Sequence, residues 1–228
     1  MVLNAAPPLT FGEDGAQLLA GAARPFLADL LSAVASQPTE RAGIRLYGVK
    51  ALRALLGAGS MVARFVGELL GHPHCQPVRL LLFDKTNETN WSLAWHQDRT
   101  ICVAERREVA GFGPWSVKQG LLHVAPPFGI LAGMATLRIH LDDVPETNAP
   151  LLIAPGSHRF GLVPEPRIED IVERCGEFTC LAEAGDIWAY ATPILHASVA
   201  AEVPRRRRVL QVDYAGVDLP GGLEWLGI

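Results

Sequence analysis

Two side chains near the middle of the chain, His96 and Asp98, form a His-x-Asp pair. Alternate residues of a β-strand lie on one face, so an imidazole and a carboxylate at this spacing can bind the same cation. A second histidine, His196, lies far downstream. Two histidines and one carboxylate that leave the other positions of a metal open form the facial ligand set of non-haem iron(II) chemistry.

The residues after His196 add specificity to this motif, which is weak by itself. Segment 205–208 consists of four arginines, and a β-rich run follows it to Tyr214. We expect His196 to end one strand and an arginine to open the next antiparallel strand, so that both face one cavity. The planar guanidinium suits that position because it binds a carboxylate through two parallel hydrogen bonds.

Length and composition indicate a single globular domain over residues 1–228. The chain is 49% apolar and 19% charged, which is ordinary for a globular protein and excludes a disordered or coiled-coil chain. A formal net charge of −4 gives no overall attraction to nucleic acid or to an anionic membrane. We therefore expect a small organic molecule as the partner, and the oligomeric state stays open.

We expect neither a targeting segment nor a membrane segment in this sequence. The first eight residues lack the basic leader and apolar stretch of a secretion signal, and no run reaches the roughly 20 apolar residues that cross a bilayer. We therefore expect a cytoplasmic protein. The cysteines form no C-x-x-C pair and are expected to be free, partly buried thiols: Cys75, Cys102, Cys175 and Cys180.

Hydrophobic periodicity divides the chain into a helical scaffold over 1–72 and a β-rich core over 73–228. Apolar residues at helical spacing predict one helix over 15–34, which Pro25 interrupts or bends, and another over 49–70. The remaining predicted elements are a short helix at 164–174 and antiparallel strands at 78–84, 91–96, 135–141, 151–153, 179–182, 186–190 and 207–214.

The segment between Arg99 and Pro127 contains several glycines and prolines and shows no clear period. Long loops without structure of their own are uncommon in compact domains and often act as lids or binding loops. Because this one begins directly after the His-x-Asp pair, we expect it to cover the metal. Trp115 and Lys118 could then close over a carboxylated substrate, although loop packing and solvation account for them equally well.

Three ordered motifs give the chain a family resemblance. They are Trp-His-Gln-Asp at 95–98, the stretch from Leu-Asp-Asp at 141–143 through Asn-Ala-Pro-Leu at 148–151 to Pro-Gly-Ser-His-Arg at 155–159, and His-Ala-Ser at 196–198 with an arginine near Tyr214. With them the chain resembles the phytanoyl-CoA dioxygenase-like family of iron(II)/2-oxoglutarate oxygenases. The resemblance implies a mainly β fold with flanking helices: a double-stranded β-helix (jelly roll, cupin-like) with the N-terminal helices packed on one sheet.

The resemblance also implies a role for each residue of the site. The two histidines and the aspartate would bind iron(II). Arg207, eleven positions after the distal histidine, would bind the distal carboxylate of 2-oxoglutarate, with Ser198 assisting. Because four arginines follow one another, the arginine that takes this role is uncertain by one step along the run. Arg205 would lie on the same strand face as Arg207 if the strand extends that far. Arg205 therefore remains an alternative clamp or a substrate contact.

The activity implied by the resemblance is a dioxygenase that consumes O₂ and 2-oxoglutarate, releases succinate and CO₂, and hydroxylates a small organic molecule. Related halogenases lack the carboxylate ligand so that chloride can bind iron, and this chain retains Asp98, which favours hydroxylation. The chain departs from the family pattern at Ala149, where glycine is usual. We expect this turn to do without a positive φ.

Three further polar residues on the predicted strands have competing interpretations. Arg138 lies on an apolar strand, where it either faces the barrel and contacts 2-oxoglutarate or an anionic substrate, or is paired on the exposed sheet face. His140 lies on the same face of that strand and is expected to be a satisfied structural histidine. Lys85 could neutralise a carboxylate near the mouth, but we expect an exposed lysine at a strand end.

Two other classes of function fit parts of the pattern. A catalytically silent relative would keep the jelly roll to bind a metal or a ligand, yet it would not need an open iron site beside an arginine clamp. A zinc hydrolase would use three ligands and a metal-bound water but would not need Arg207. Neither the identity of the substrate nor the use of a CoA thioester follows from the sequence.

Overall fold

The computed structural model describes residues 8–38, 43–86, 88 and 90–228. The strands in these ranges are β1 (Ala16–Leu19), β2 (Gly43–Arg45), β3 (Gln76–Lys85), β4 (Leu93–His96), β5 (Ile101–Cys102), β6 (Trp115–Lys118), β7 (Leu121–Val124), β8 (Met134–His140), β9 (Leu151–Ile153), β10 (Phe178–Cys180), β11 (Ile187–Ala191), β12 (His196–Ser198) and β13 (Arg207–Ala215). The helices are α1 (Phe11–Asp14), α2 (Leu27–Val34), α3 (Lys50–Leu56), α4 (Met61–Leu70), α5 (Phe128–Ala132) and α6 (Ile168–Cys175).

These strands form three antiparallel sheets in the described ranges. The largest has the order β1-β11-β8-β13-β3-β2, the second β10-β9-β12-β4, and the third β5-β7-β6. Most neighbouring strands are far apart in the sequence, as in a jelly roll. The predicted mainly β architecture with flanking helices is confirmed.

The two faces of the largest sheet differ because successive residues of a strand point to opposite sides. One face packs against α2, α3 and α4 through buried residues such as Leu82 of β3, Ile139 of β8 and Leu210 of β13. The hydroxyl of Tyr214 donates to the Leu56 carbonyl oxygen of α3 at 2.7 Å. Each fully buried leucine or isoleucine contributes about 1.5–3 kcal/mol, so this helical layer anchors the sheet whose other face carries the polar residues.

The predicted helix over 15–34 is wrong in its first half. Gly15 has a φ of 73° and ends α1, and β1 then pairs with β11 at the edge of the largest sheet. This pairing satisfies the backbone hydrogen bonds of the segment and overrides its helical periodicity. The helix predicted over 49–70 is two helices separated at Gly57, where a Cβ would lie 2.4 Å from a backbone carbonyl oxygen. The scaffold predicted over 1–72 therefore also contributes β1 and β2.

The segment between Arg99 and Pro127 is not the structureless lid that the sequence predicts. It contains the three-stranded sheet of β5, β6 and β7, whose strands are too short to show a clear period. Trp115 and Lys118 are the first and last residues of β6. Similarly, His196 begins the short strand β12 rather than ending a strand.

None of the helices in the described part of the chain is long and apolar enough to cross a membrane. All four cysteines are free, as predicted, and only Cys175 among them is not fully buried. The N-terminal segment 1–7, in which no leader is expected, lies outside the described residues.

Ala149 has a φ of 51°, which contradicts the expectation that its turn would do without a positive φ. The residue is buried, and its carbonyl oxygen accepts a hydrogen bond from Nη1 of Arg207. A left-handed conformation costs a residue with a Cβ about 1–2 kcal/mol. The contact with Arg207 therefore accompanies a strained backbone at this turn.

We expect Ala149→Gly to leave the free energy of unfolding unchanged or to raise it by up to about 1 kcal/mol, because relief of the strained φ offsets the lost methyl contacts and the entropy of glycine. Urea denaturation at fixed pH measures the change. Ala154→Gly is the matched control, at a buried position without a positive φ, and should lose about 1 kcal/mol. Equal losses in the two variants would contradict the assignment of strain.

Candidate metal centre and its cavity

The two histidines of the predicted ligand set face each other across neighbouring strands. β4 and β12 pair antiparallel with His96 opposite His196, and the ring centroids are 4.2 Å apart. Asp98 follows the end of β4, and ligand atoms of all three residues lie within 4.8 Å of one another. One ligand atom from each residue therefore surrounds a common point, as a metal ion requires.

Hydrogen bonds fix the tautomer of both imidazoles. Nδ1 of His96 lies 2.8 Å from the Ala94 carbonyl oxygen, and Nδ1 of His196 lies 3.0 Å from the Ile194 carbonyl oxygen. A carbonyl oxygen only accepts, so each Nδ1 carries the proton and each Nε2 keeps the lone pair that a metal ion binds. Burial, followed by the neighbouring His96, lowers the pKa of His196 to about 4, so this ring is neutral at pH 7.

Asp98 belongs to a buried charge network. Its Oδ2 accepts hydrogen bonds from Nη2 of Arg79 at 2.8 Å and from Nε2 of Gln211 at 3.4 Å, while Nε of Arg79 pairs with Asp213. Burial alone would raise the pKa of Asp98, but Arg79 and the two imidazoles hold it well below its usual range. The protein itself therefore keeps this carboxylate ionised and fixes its orientation.

Gln97, between the two ligands, fixes the chain that carries them. Its side chain is buried, and Nε2 donates to the carbonyl oxygens of Gly161 at 3.0 Å and Pro193 at 2.7 Å. Its Oε1 accepts from the Val163 amide at 2.9 Å. A side chain that satisfies three backbone groups in two other segments has little freedom. Gln97 therefore holds the ligand-bearing segment against the loop after β9 and the turn before β12.

A cavity of about 400 Å³ lies beside the metal ligands, and the cations that line it include Arg207, Lys85 and Arg138. Arg207 is 2% exposed and Lys85 is 5% exposed. Nζ of Lys85 donates to Oγ of Ser198 at 3.2 Å. The prediction of an exposed lysine at this strand end is therefore wrong. Lys85 and Phe83 are two residues apart on β3 and therefore share a strand face, and both line the cavity.

These three cations form no ion pair with a carboxylate among the described residues. Arg207 and Lys85 are direct neighbours across β13 and β3, an unfavourable position for like charges. Burial, followed by the charges of Arg207 and Arg138, lowers the pKa of Lys85 to about 7. Burial, followed by Arg138, lowers the pKa of Arg207 to about 9. A bound dianion would relieve this repulsion.

Arg138 faces the cavity, which decides between its two predicted orientations. Its Nη1 donates to Oε1 of Gln211 at 3.1 Å, and its buried Nε has no partner in the described part of the chain. His140 follows on the same strand face, is 1% exposed, and has no partner there for either ring nitrogen. The prediction of a satisfied structural histidine is therefore wrong. Burial, followed by Arg138 and Arg207, lowers the pKa of His140 well below its ordinary value.

The remaining predicted contacts separate into two groups. Ser198 and Lys118 line the cavity. Arg205 is exposed and lines an open surface groove instead, because β13 begins only at Arg207 and strand alternation does not reach it. Trp115 packs against the cluster of buried residues that includes Val124. The structure therefore brings neither Arg205 nor Trp115 to the cavity.

Sequence reasoning missed the network of Arg79, Gln211 and Asp213. A signal was present, because Arg207, Gln211 and Asp213 lie at even spacing on β13 and share its cavity face. An arginine inside the apolar run of β3 also requires a buried partner. The same argument that singled out Arg138 therefore applied to Arg79.

Comparison with known proteins gives a family and a fold. The family described as phytanoyl-CoA dioxygenase (PhyH) matches residues 49–209, whereas no curated protein sequence matches the chain significantly.

Similar solved structures include AviO1 from Streptomyces viridochromogenes Tue57, with a TM-score of 0.62, 18% identity and 92% of each chain covered. Iron-bound EctD from S. alaskensis has a TM-score of 0.63 and 18% identity over 94% of this chain and 79% of that one. The non-haem α-ketoglutarate-dependent epimerase SnoN from nogalamycin biosynthesis has a TM-score of 0.62 and 18% identity over 93% of this chain and 87% of that one. At such identities the likeness shows the shared fold, and it confirms the predicted jelly roll.

Proposed function

The chain belongs to the phytanoyl-CoA dioxygenase family of non-haem iron, 2-oxoglutarate-dependent oxygenases, and we propose that it hydroxylates a small organic molecule with release of succinate and CO₂. Its cofactor is iron(II), and its co-substrates are 2-oxoglutarate and O₂. The carboxylate position of the ligand set is filled by Asp98, which supports hydroxylation over halogenation.

The described residues fit both iron(II) and 2-oxoglutarate. Imidazole nitrogens and a carboxylate are donors that suit iron(II), and we assign His96, Asp98 and His196 as its ligands. The buried Nε atoms of Arg207 and Arg138 have no partner among the described residues, and a ligand with two carboxylates supplies the acceptors that they lack.

Iron(II) with 2-oxoglutarate and O₂ supplies the oxidation, in which 2-oxoglutarate is converted to succinate and CO₂ while one oxygen atom enters a substrate C–H bond. The residues of the chain bind and orient the reactants. We assign Arg207, with Ser198 and Lys85 beside it, to the far carboxylate of 2-oxoglutarate. Apolar side chains on the same cavity wall reduce access of water to the reacting centre: Leu81, Phe83 and Leu151.

One observation carries this proposal: a complete His-Asp-His ligand set shares its cavity with Arg207, a buried arginine that pairs with no carboxylate of the described residues. A zinc hydrolase has no use for the arginine. A relative that only binds metal gains nothing from it, because an unpaired buried charge lowers stability. A metal ligand set beside such an arginine is useful to a protein that must bind an anionic co-substrate next to its metal.

Anaerobic titration tests the proposal. We expect protein loaded with iron(II) to develop a weak visible charge-transfer band when 2-oxoglutarate is added, and to form succinate when O₂ is admitted. His196→Ala should lose the band because a ligand is missing, whereas His74→Ala, at an exposed histidine outside the cavity, should keep it. No band and no succinate with the wild-type protein would remove the oxygenase activity.

A screen of metabolites for stimulated succinate release then identifies the substrate. Hydroxylation predicts a product heavier than the substrate by one oxygen atom. A product without that oxygen would reject hydroxylation while leaving the iron and 2-oxoglutarate chemistry in place.

A further inference from the structure

A second pair of cations, Arg45 and Lys118, lines the same cavity. Arg45 pairs with Leu81 on β3, and Leu81 precedes Lys85 by four residues, or about 13 Å of strand. Nζ of Lys118 lies 3.3 Å from Oγ1 of Thr100, two residues after Asp98. This pair therefore lies towards the metal ligand Asp98 and apart from the cations around Arg207.

The chain fixes the position of this pair through Gln119. Nε2 of Gln119 donates to the Gly43 carbonyl oxygen at 2.9 Å, and its Oε1 accepts from the Arg45 amide at 2.9 Å. These two bonds attach the turn between β6 and β7 to the free edge of β2. Lys118, at the end of β6, is thereby held next to Arg45. Such preorganisation lowers the entropic cost of binding a ligand between them.

The pair lacks an acidic partner among the residues that the structure describes. Among the described residues, Arg45 and Lys118 form no ion pair with a carboxylate. Nε of Arg45 donates to Nε2 of His123 at 3.4 Å, and Nζ of Lys118 donates to Oγ1 of Thr100 at 3.3 Å. Both contacts are long bonds to neutral groups, so most of the donor capacity of this pair is unused.

The described groups around the pair do not balance its charge. Burial lowers the pKa of His123 to about 4, and burial raises the pKa of the Cys102 thiol beside it to about 11, so both groups are neutral at pH 7. Asp98 is already paired with Arg79. Two like charges held together in a half-buried site are unfavourable unless an anion completes the site.

We propose that Arg45 and Lys118 bind an anionic group of the substrate, a carboxylate or a phosphate, and thereby position its reacting carbon beside the metal. This inference rests on the proposed function. The guanidinium fork provides two parallel donors and the ammonium a point charge, which together match the oxygens of either group. The pair would select acidic substrates over neutral ones of the same shape, because a neutral compound leaves both cations unpaired.

Calorimetric titration of small anions into the loaded protein tests this site. The protein is saturated anaerobically with iron(II) and 2-oxoglutarate, so that the cations around Arg207 are occupied, and is titrated with inorganic phosphate and separately with acetate. We expect Arg45→Gln combined with Lys118→Met to weaken binding of the better anion by about tenfold or more. Lys50→Met combined with Arg64→Gln changes the same charge at exposed helix positions and should bind as the wild type does.

The anion titrations either support or overturn the proposed substrate site. Preference for phosphate or for acetate identifies which anionic group the substrate carries. Equal binding by the wild type and the Arg45, Lys118 variant, or no binding by either, overturns the proposal. The charge-transfer band should persist in this variant and in Lys118→Met alone. Absence of the band from the wild-type protein would instead mean that the proposed oxygenase function fails.

The metabolite screen supplies a second readout. Compounds that stimulate succinate release should be acids or phosphate esters, and the variant should raise their KM, whereas the exposed control variant of Lys50 and Arg64 should leave that KM unchanged. A neutral stimulating compound with the same KM in wild type and variant would also overturn the proposal.

Discussion

Replacing Arg207 with methionine is expected to weaken 2-oxoglutarate binding by about thirtyfold or more, because truncating one partner of a buried charge pair costs about 2–5 kcal/mol. The guanidinium lies in the metal cavity and is almost fully buried. Iron(II) affinity should stay nearly unchanged, since Asp98 and the two histidines are held by other contacts. Anaerobic titration, first with iron(II) and then with 2-oxoglutarate, measures both affinities.

The same substitution should not destabilise the protein in the absence of 2-oxoglutarate. Methionine replaces a buried cation that forms no ion pair with the described residues and lies directly across from Lys85, and apolar replacements of buried ions are often neutral or stabilising by about 1–4 kcal/mol. The lost hydrogen bond to Ala149 offsets part of this gain. Added 2-oxoglutarate should then raise the thermal unfolding temperature of the iron-loaded wild type but not that of Arg207→Met.

Arg205→Met is the matched control, because it removes the same charge from an exposed position two residues away. It should bind 2-oxoglutarate as the wild type does. If Arg205→Met loses 2-oxoglutarate binding and Arg207→Met keeps it, the arginine that binds the co-substrate is misassigned.

The long strands of the core were predictable from the sequence because they are long enough for alternation to show. The predicted bounds of β3, β8 and β13 differ from the observed ones by two residues at most. Short strands such as β1 and β6 carry too few residues to show a period. Their structure depends on pairing with distant strands, as Ala16 of β1 does with Tyr190 of β11.

The candidate site was predictable in its residue types but less so in its environment. Alternation can place Lys85 and His140 on a strand face, yet whether a polar side chain is buried or satisfied depends on its neighbours across the sheet. The φ of Ala149 likewise accompanies a contact with Arg207, which the local sequence does not encode. Lys118 is held next to Arg45 because Gln119 attaches the turn after β6 to β2, and no local pattern reports that contact.

Arg79 is the residue outside the ligand set whose loss should affect iron most. It joins Asp98 and Asp213, and all three side chains are largely buried. We expect Arg79→Met to lower iron(II) affinity about 10–100-fold, as for other partners that orient metal ligands. The free energy of unfolding should fall by about 3–5 kcal/mol, because two buried carboxylates lose their common counter-charge. Metal titration and urea denaturation measure the two effects.

A second variant separates the orientation of Asp98 from simple loss of stability. Asp213→Asn added to Arg79→Met removes the second buried charge, while the amide keeps an oxygen for the hydrogen bond that Thr136 donates to residue 213 at 3.1 Å. Stability should largely recover, since one carboxylate no longer repels the other. Iron(II) affinity should stay low, because Asp98 still lacks the guanidinium that holds it. Recovery of both together would mean that Arg79 acts on the metal centre through folding alone.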